Sequence, residues 1–269
     1  MKGIIGAIAG DVIGSAYEFN PTRDYDFELF TPRSTYTDDT VLTMANAMWL
    51  LDDERHTPER LVAIMRDLCN RYQGRGYGGR FAQWIASSVP HPYNSYGNGS
   101  AMRVSPVGYY AQSLDEALEL SKTSAEVTHN HPEGIKGAQA TAAAIFLTRQ
   151  GLTQQELREY IETAIGYDLS RTLEQIRPDY TFNELCQTTV PEALTCYLEG
   201  KDYEDVIRLA VSLAADADTL AAIAGPIASA VWEVPNEISQ PAIALLSDEF
   251  CTTLLRFNEL VAKRESNAL

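Results

Sequence analysis

A chain of 269 residues with 21 Lys and Arg against 37 Asp and Glu carries a formal charge of −16. That balance excludes a nucleic-acid binder working by bulk charge, because affinity for phosphate backbones comes from neutralising them with Lys and Arg. At 45% hydrophobic and 22% charged residues the composition is globular rather than disordered, and the length suits one domain over residues 1–269 built around a single core.

The N-terminus, MKGIIGAIAGDVIGSAYEF, superficially resembles a signal peptide, but Asp11 interrupts its apolar run and no cleavage pattern follows. No segment approaches the roughly 20 apolar residues that span a bilayer. Cys69, Cys186, Cys196 and Cys251 lie far apart with no C-x-x-C pair, so reduced thiols are expected. Together these features predict a cytoplasmic protein without a membrane partner; they leave the oligomeric state open.

Apolar residues recur at helical spacing over 41–51, 58–72, 114–129, 139–149, 153–167, 203–214 and 241–264, and alternating strand patterns are almost absent. An all-α fold in one compact helical domain follows. Gly, Pro and Tyr gather in three loops, 20–36, 74–80 and 90–108, longer than helix connections require and therefore candidate binding surfaces. AIAGDVIGSAYE (7–18) is echoed by AIAGPIASAVWE (222–233). Small residues at helical spacing let two helices approach closely, so the echo reads equally well as a packed central pair or as a duplication.

Two acidic clusters, Thr37-Asp38-Asp39-Thr40 and Asp216-Ala217-Asp218-Thr219, each precede an apolar helical run. One such cluster would be an N-cap, since Thr and Asp favour the positive end of a helix. Two clusters hold more carboxylates than caps use, and LAVSLAA before the second draws it toward the interior, where unpaired charge costs several kcal/mol. Hard oxygen ligands so gathered suit Mg²⁺ or Mn²⁺, and four carboxylates with hydroxyls can hold two ions. The loop GNGSAMR (97–103) reads as a turn able to cradle an anion, or simply as a turn, with the Arg103 guanidinium available for phosphate. The pair His129 and His131 has no neighbouring Cys and only two other His in the chain, which argues against a zinc site. GRGYGGR (74–80) is either a nucleotide contact or a flexible turn.

Taken in order, GDVIGSAYE (10–18), TDDT (37–40), GNGSAMR (97–103), VTHNHPEGIKGA (127–138) and DADT (216–219) resemble the ADP-ribosylglycohydrolase family. The resemblance implies an all-α fold, a centre of two divalent cations, Mg²⁺ or Mn²⁺, and hydrolysis of the bond between ADP-ribose and an acceptor. By position it implies Thr37, Asp38, Asp39, Asp216, Asp218 and Thr219 as metal ligands, and Glu18 with Asp39 as catalytic groups. Gly97, Asn98, Gly99, Ser100, Met102, Arg103 and His129 are implied as contacts to ADP-ribose, and His131 is expected only to cap a helix. Two rival readings are a non-catalytic ADP-ribose-binding protein and a two-metal phosphoesterase that releases AMP. Two departures stand out: Pro226 lies within the helix that DADT should start and would kink it, and Ala214-Ala215 stand where related bacterial sequences carry glycine.

Overall fold

The computed structural model describes residues 1–267. Its helices are, in order, α1 (Ile5–Gly14), α2 (Asp38–Asp52), α3 (Pro58–Arg71), α4 (Gly79–Ala86), α5 (Gly99–Met102), α6 (Ser105–Tyr110), α7 (Leu114–Glu126) and α8 (Pro132–Arg149). There follow α9 (Gln154–Tyr160), which continues into a π-helical turn at Ile161–Ile165, and α10 (Leu173–Ile176), α11 (Cys186–Glu199), α12 (Tyr203–Val211), α13 (Ala217–Val231), α14 (Asn236–Ala244) and α15 (Asp248–Asn267). Among the described residues no strand forms; a single antiparallel bridge joins Gly97 to Leu185. The all-α class is therefore borne out, and no helix of the described residues is long and apolar enough to cross a membrane.

At the centre, α1 lies against α13, and every residue of α1 is buried. Gly6, Gly10 and Gly14 recur at every fourth position and so form one bare stripe along α1. A β-carbon at Gly6 would sit 2.7 Å from the Gly225 carbonyl oxygen, one at Gly10 would sit 2.6 Å from the Ala221 carbonyl carbon, and one at Gly14 would sit 2.5 Å from the Asp218 amide. The two backbones thus touch along their length, and the repeated AIAG segments are that contact. Helix α13 runs on through Pro226 without a break. Pro226 has no amide to donate to the Ala222 carbonyl, and its own carbonyl accepts from the Tyr109 hydroxyl at 2.6 Å.

Three departures from the sequence reading have local causes. The apolar pattern over 241–264 is two helices, because Ser247 interrupts it and its hydroxyl accepts from the Phe250 amide at 3.3 Å to start α15. Helix α11 went unread because Pro191 sits inside it. The 90–108 loop contains the short helix α5 and the start of α6, which runs on to Tyr110.

Replacing Gly10 by Ala should destabilise the protein by about 2 kcal/mol or more, since backbone must move to admit the methyl group. Gly78→Ala, where nothing lies within 4 Å of the added carbon, should change stability by less than about 0.5 kcal/mol. Urea unfolding of the two variants beside the parent chain measures the difference.

Candidate active site

Helix α1 organises the site from its middle. Asp11 is fully buried, and its carboxylate accepts from both the amide and the hydroxyl of Thr37, at 2.9 and 2.8 Å. It also accepts from the amide and hydroxyl of Thr40, at 3.1 and 2.5 Å. These four bonds fasten the N-terminus of α2 to α1. Thr37 is the N-cap, its hydroxyl accepting from the Asp39 amide at 3.2 Å, so the capping role considered from sequence holds for this threonine. Asp38 and Asp39, in the first turn, remain free to face inward; the Asp38 amide is held by the Arg75 carbonyl at 2.7 Å.

The second cluster arrives on α13. Asp216 occupies the N-cap position but makes no cap bond; its carboxylate instead accepts from the Asn98 side-chain amide at 2.6 Å. Ala214 just before it has φ +59°, a left-handed conformation that costs an alanine about 1–2 kcal/mol. The departure noted from sequence therefore falls on a residue whose backbone favours glycine. Gly14 packs on Asp218, and four residues later Glu18 meets the same cluster: carboxylate oxygens of Glu18, Asp216 and Asp218 all lie within 4.8 Å of one another.

No Lys or Arg forms an ion pair with Asp11, Glu18, Asp38, Asp39, Asp216 or Asp218 among the described residues. Asp39 Oδ2 is buried without any hydrogen-bond partner. Burial is the first cause that raises each carboxyl, with neighbouring carboxylates adding to it. Glu18 is pushed up to about 7, with Asp216 contributing, and Asp38 to about 8, with Asp11 contributing. Burial lifts Asp216 to about 6 against the bonds from Asn98 and others that lower it. Asp39 and Asp218 are held well above the usual carboxylate range. Such a nest is uncompensated by protein charge, which is the donor chemistry that hard divalent cations fit.

The carboxylates form one part of a cleft of about 250 Å³, which Gly97, Gly99, Met102, Arg103, His129, Arg80 and Tyr93 also line. A larger cavity of about 520 Å³ near the N-terminus has no comparable cluster, so chemistry rather than size marks the site. Gly97 and Gly99 do not have positive φ; what they provide is closeness, since a β-carbon at Gly99 would stand 3.2 Å from His129 Nε2. Burial holds His129 well below the usual imidazole range, so it is neutral. Arg103 donates to the Thr128 hydroxyl at 2.9 Å, and that hydroxyl pairs with His129 Nδ1 at 2.7 Å. With the Thr128 proton directed to Nδ1, Nε2 carries the ring proton toward the cleft.

Three residues expected to contact ADP-ribose have side chains engaged with protein partners, two of them, Asn98 and Arg103, while still lining the cleft. Arg103 is no surface guanidinium: it is fully buried beneath the loop, donating to the Ser124 carbonyl at 2.6 Å, with Nε and Nη1 lacking partners. The Ser100 hydroxyl turns inward to the Gly134 carbonyl at 2.6 Å, and the Asn98 amide is committed to Asp216 and Thr189. The Gly99 and Ser100 backbone amides, by contrast, find no acceptor among the described residues. His131 caps α8, accepting from the Glu133 amide at 3.1 Å, as expected. Of the GRGYGGR loop, Arg80 lines the cleft, with its guanidinium 5.0 Å from the Tyr93 ring centre.

Sequence reading missed Asp11, Tyr93 and Glu184. A lone carboxylate within the apolar, small-residue segment IGAIAGDVIG was the available signal for Asp11; Tyr93 and Glu184 carried none.

Carboxyls raised by burial bind more protons in the folded chain than in the unfolded one between about pH 4 and 8. Folding stability of chelator-treated protein should therefore fall as pH rises across that range, read by melting temperature at pH 5, 6.5 and 8. Asp11→Asn leaves one acceptor oxygen and sets an NH₂ group against donors, and should cost about 1.5–3 kcal/mol.

Comparisons with known proteins bear on the family and the fold. The family model described as ADP-ribosylglycohydrolase matches residues 1–267. ADP-ribosylhydrolase ARH3 of Mus musculus is 24% identical over 88% of this chain and 85% of its own length. ADP-ribosylarginine hydrolase Tri1 of Pseudomonas putida (strain GB-1) is 26% identical over 86% of this chain and 70% of its own. A solved structure titled ADP-ribosylglycohydrolase-related protein complex superposes with a TM-score of 0.74 at 22% identity, covering 97% of this chain and 95% of that one; it shares the fold. The chain belongs to the ADP-ribosylglycohydrolase family.

Proposed function

We propose that the chain hydrolyses the bond between ADP-ribose and an acceptor, using two divalent cations, Mg²⁺ or Mn²⁺. The observation that carries this reading is the gathering in one cleft of carboxylates without a cationic partner, Glu18 just beyond α1, Asp38 and Asp39 on α2 and Asp216 and Asp218 at the start of α13, with the orphaned Asp39 oxygen among them. Thr37, Asp38 and Asp39 from one side and Asp216, Asp218 and Thr219 from the other would hold the ions. The Thr37 hydroxyl accepts from Asp39 and donates to Asp11, which leaves it one lone pair for a ligand bond. Bound cations would supply positive charge to ribose hydroxyls and to an attacking water.

The chain's own groups divide the remaining work. Glu18, half-buried and raised to about 7, can exchange a proton near neutral pH, on the water or on the leaving group. Asp39 adds negative charge where the sugar becomes oxocarbenium-like. At the other part of the cleft, the Gly99 amide, the Nε2–H of His129 and Arg80 offer donors for the diphosphate and ribose, with Gly97 and Met102 forming the wall. Arg103 acts from below, fixing His129 through Thr128. Asn98 does the same for Asp216. The acidic surface repels an anionic nucleotide at long range, so attraction has to be local.

Addition of Mg²⁺ or Mn²⁺ to chelated protein should raise its melting temperature, and Asp38→Ala or Asp218→Ala should abolish the rise. Mass spectrometry of ADP-ribosyl-arginine and ADP-ribosyl-serine peptides incubated with the loaded protein should find ADP-ribose; AMP would point to diphosphate cleavage, and binding without product to a non-catalytic role. Glu18→Gln should lower turnover by about 10²–10⁴-fold while changing ADP-ribose affinity by calorimetry much less.

A further inference from the structure

The loop GRGYGGR (74–80) bears on the acidic cluster through more than Arg80. The Asp38 amide donates to the Arg75 carbonyl at 2.7 Å. Gly76, at φ +98°, lies so close that a β-carbon there would stand 3.1 Å from Asp38 Oδ1. The loop therefore meets both the main chain and the carboxylate of Asp38, and the Arg75 side chain holds it there. Its guanidinium lies over the Tyr36 ring, with Cζ 3.8 Å from the ring centre, and Nη1 donates to the Thr35 hydroxyl and the Tyr36 carbonyl at 2.9 and 3.0 Å. Arg75 thus grips residues 35–38 at both ends, by its guanidinium before Thr37 and by its carbonyl after it.

The anchor for this grip is rigid. Tyr36 is buried and meets Tyr72 and Phe250 edge-on, with ring centres 6.5 and 5.7 Å away; Tyr72 stacks on Phe250 at 4.5 Å, and its carbonyl accepts from the Tyr77 hydroxyl at 2.8 Å. On the other side the Thr35 amide donates to the Ser15 hydroxyl at 3.1 Å. No carboxylate lies within ion-pair distance of Arg75 among the described residues, so its charge is not spent in an ion pair. By charge alone a guanidinium beside this cluster opposes a divalent cation; any favourable effect has to come through geometry. Resting on the proposed cations, we infer that Arg75 is a positioning residue for the metal site: it sets the backbone that presents Thr37 and Asp38 and so raises the affinity for divalent cations, touching neither cation nor ADP-ribose.

Charge and position predict opposite signs, which Mn²⁺ binding to the chelated protein distinguishes, read by electron paramagnetic resonance of the free ion for the parent chain, Arg75→Met and Arg75→Lys. Loss of the nearby positive charge by itself tightens binding, whereas loss of the grip weakens it. Arg75→Met should bind Mn²⁺ about tenfold more weakly, the worth of roughly one net hydrogen bond. Arg75→Lys keeps the charge but has no planar fork to lie on Tyr36 and bond twice, and should bind about threefold more weakly. Hydrogen exchange of the chelated proteins needs no cation; it should be faster at the Asp38 amide in both variants and unchanged along α13. Affinity equal to or tighter than the parent's, in Arg75→Lys alone if Arg75→Met does not fold, overturns the positioning role, as does unchanged exchange at Asp38. Faster exchange along α13 as well overturns it in favour of a general stabilising role. If the parent chain takes up no Mn²⁺ while the Asp38 amide loosens in the variants, the proposed cation chemistry fails and the grip on residues 35–38 stands.

Discussion

Everything in this molecule is arranged by the contact between α1 and α13. With no side chain at Gly6, Gly10 or Gly14, the two backbones reach van der Waals distance, and the N-terminal end of α13 is brought against the C-terminal end of α1. That is where Glu18 meets Asp216 and Asp218. A thicker stripe would separate the helices and part these carboxylates. The same helix carries Asp11, whose four bonds to Thr37 and Thr40 draw in α2 with Asp38 and Asp39. One buried helix thus sets both the packing of the core and the convergence of the acidic groups.

That convergence is electrostatically expensive. Carboxylates in a dry interior repel one another and lose hydration, which is why Asp38 and Glu18 are raised so far. The chain tolerates this because α1 and α13 are otherwise apolar and almost wholly buried, so the core holds in place groups that would separate if free. Stored repulsion of this kind is discharged by cations, and a site built so is more receptive to them than one already neutralised by Lys or Arg. On the opposite part of the cleft the order is reversed: donors predominate, and the buried Arg103 supports neutral His129 through Thr128 instead of facing the solvent.

Much of this was legible in the one-dimensional pattern. Most helices with uninterrupted periodicity were found near their true bounds, α8 being the exception because it begins at Pro132 rather than 139, and the acidic clusters stood out because there were two of them. What escaped did so for definite reasons. Pro191 disguised α11, and Ser247 ended one helix and began another within a continuous apolar pattern. Asp11 looked like an interruption because its partners lie 26 and 29 residues away. Asn98, Ser100 and Arg103 were assigned by motif to the ligand side, yet side-chain direction depends on what lies behind the loop, and there Asp216, the Gly134 carbonyl and Thr128 compete for their donors.

The sequence by itself determined the helical class, the bare glycine stripe and the presence of surplus carboxylates ahead of two helices, since these follow from spacing and residue type along a single segment. Tertiary structure alone decided which oxygens share a point in space, that Thr37 caps while Asp216 does not, and that Arg103 is buried with its guanidinium on Ser124 and Thr128. The physical reason is range. Periodicity and capping act within a few residues, whereas the direction of a buried polar side chain is chosen by whichever unsatisfied donor or acceptor the fold brings to it from elsewhere in the chain.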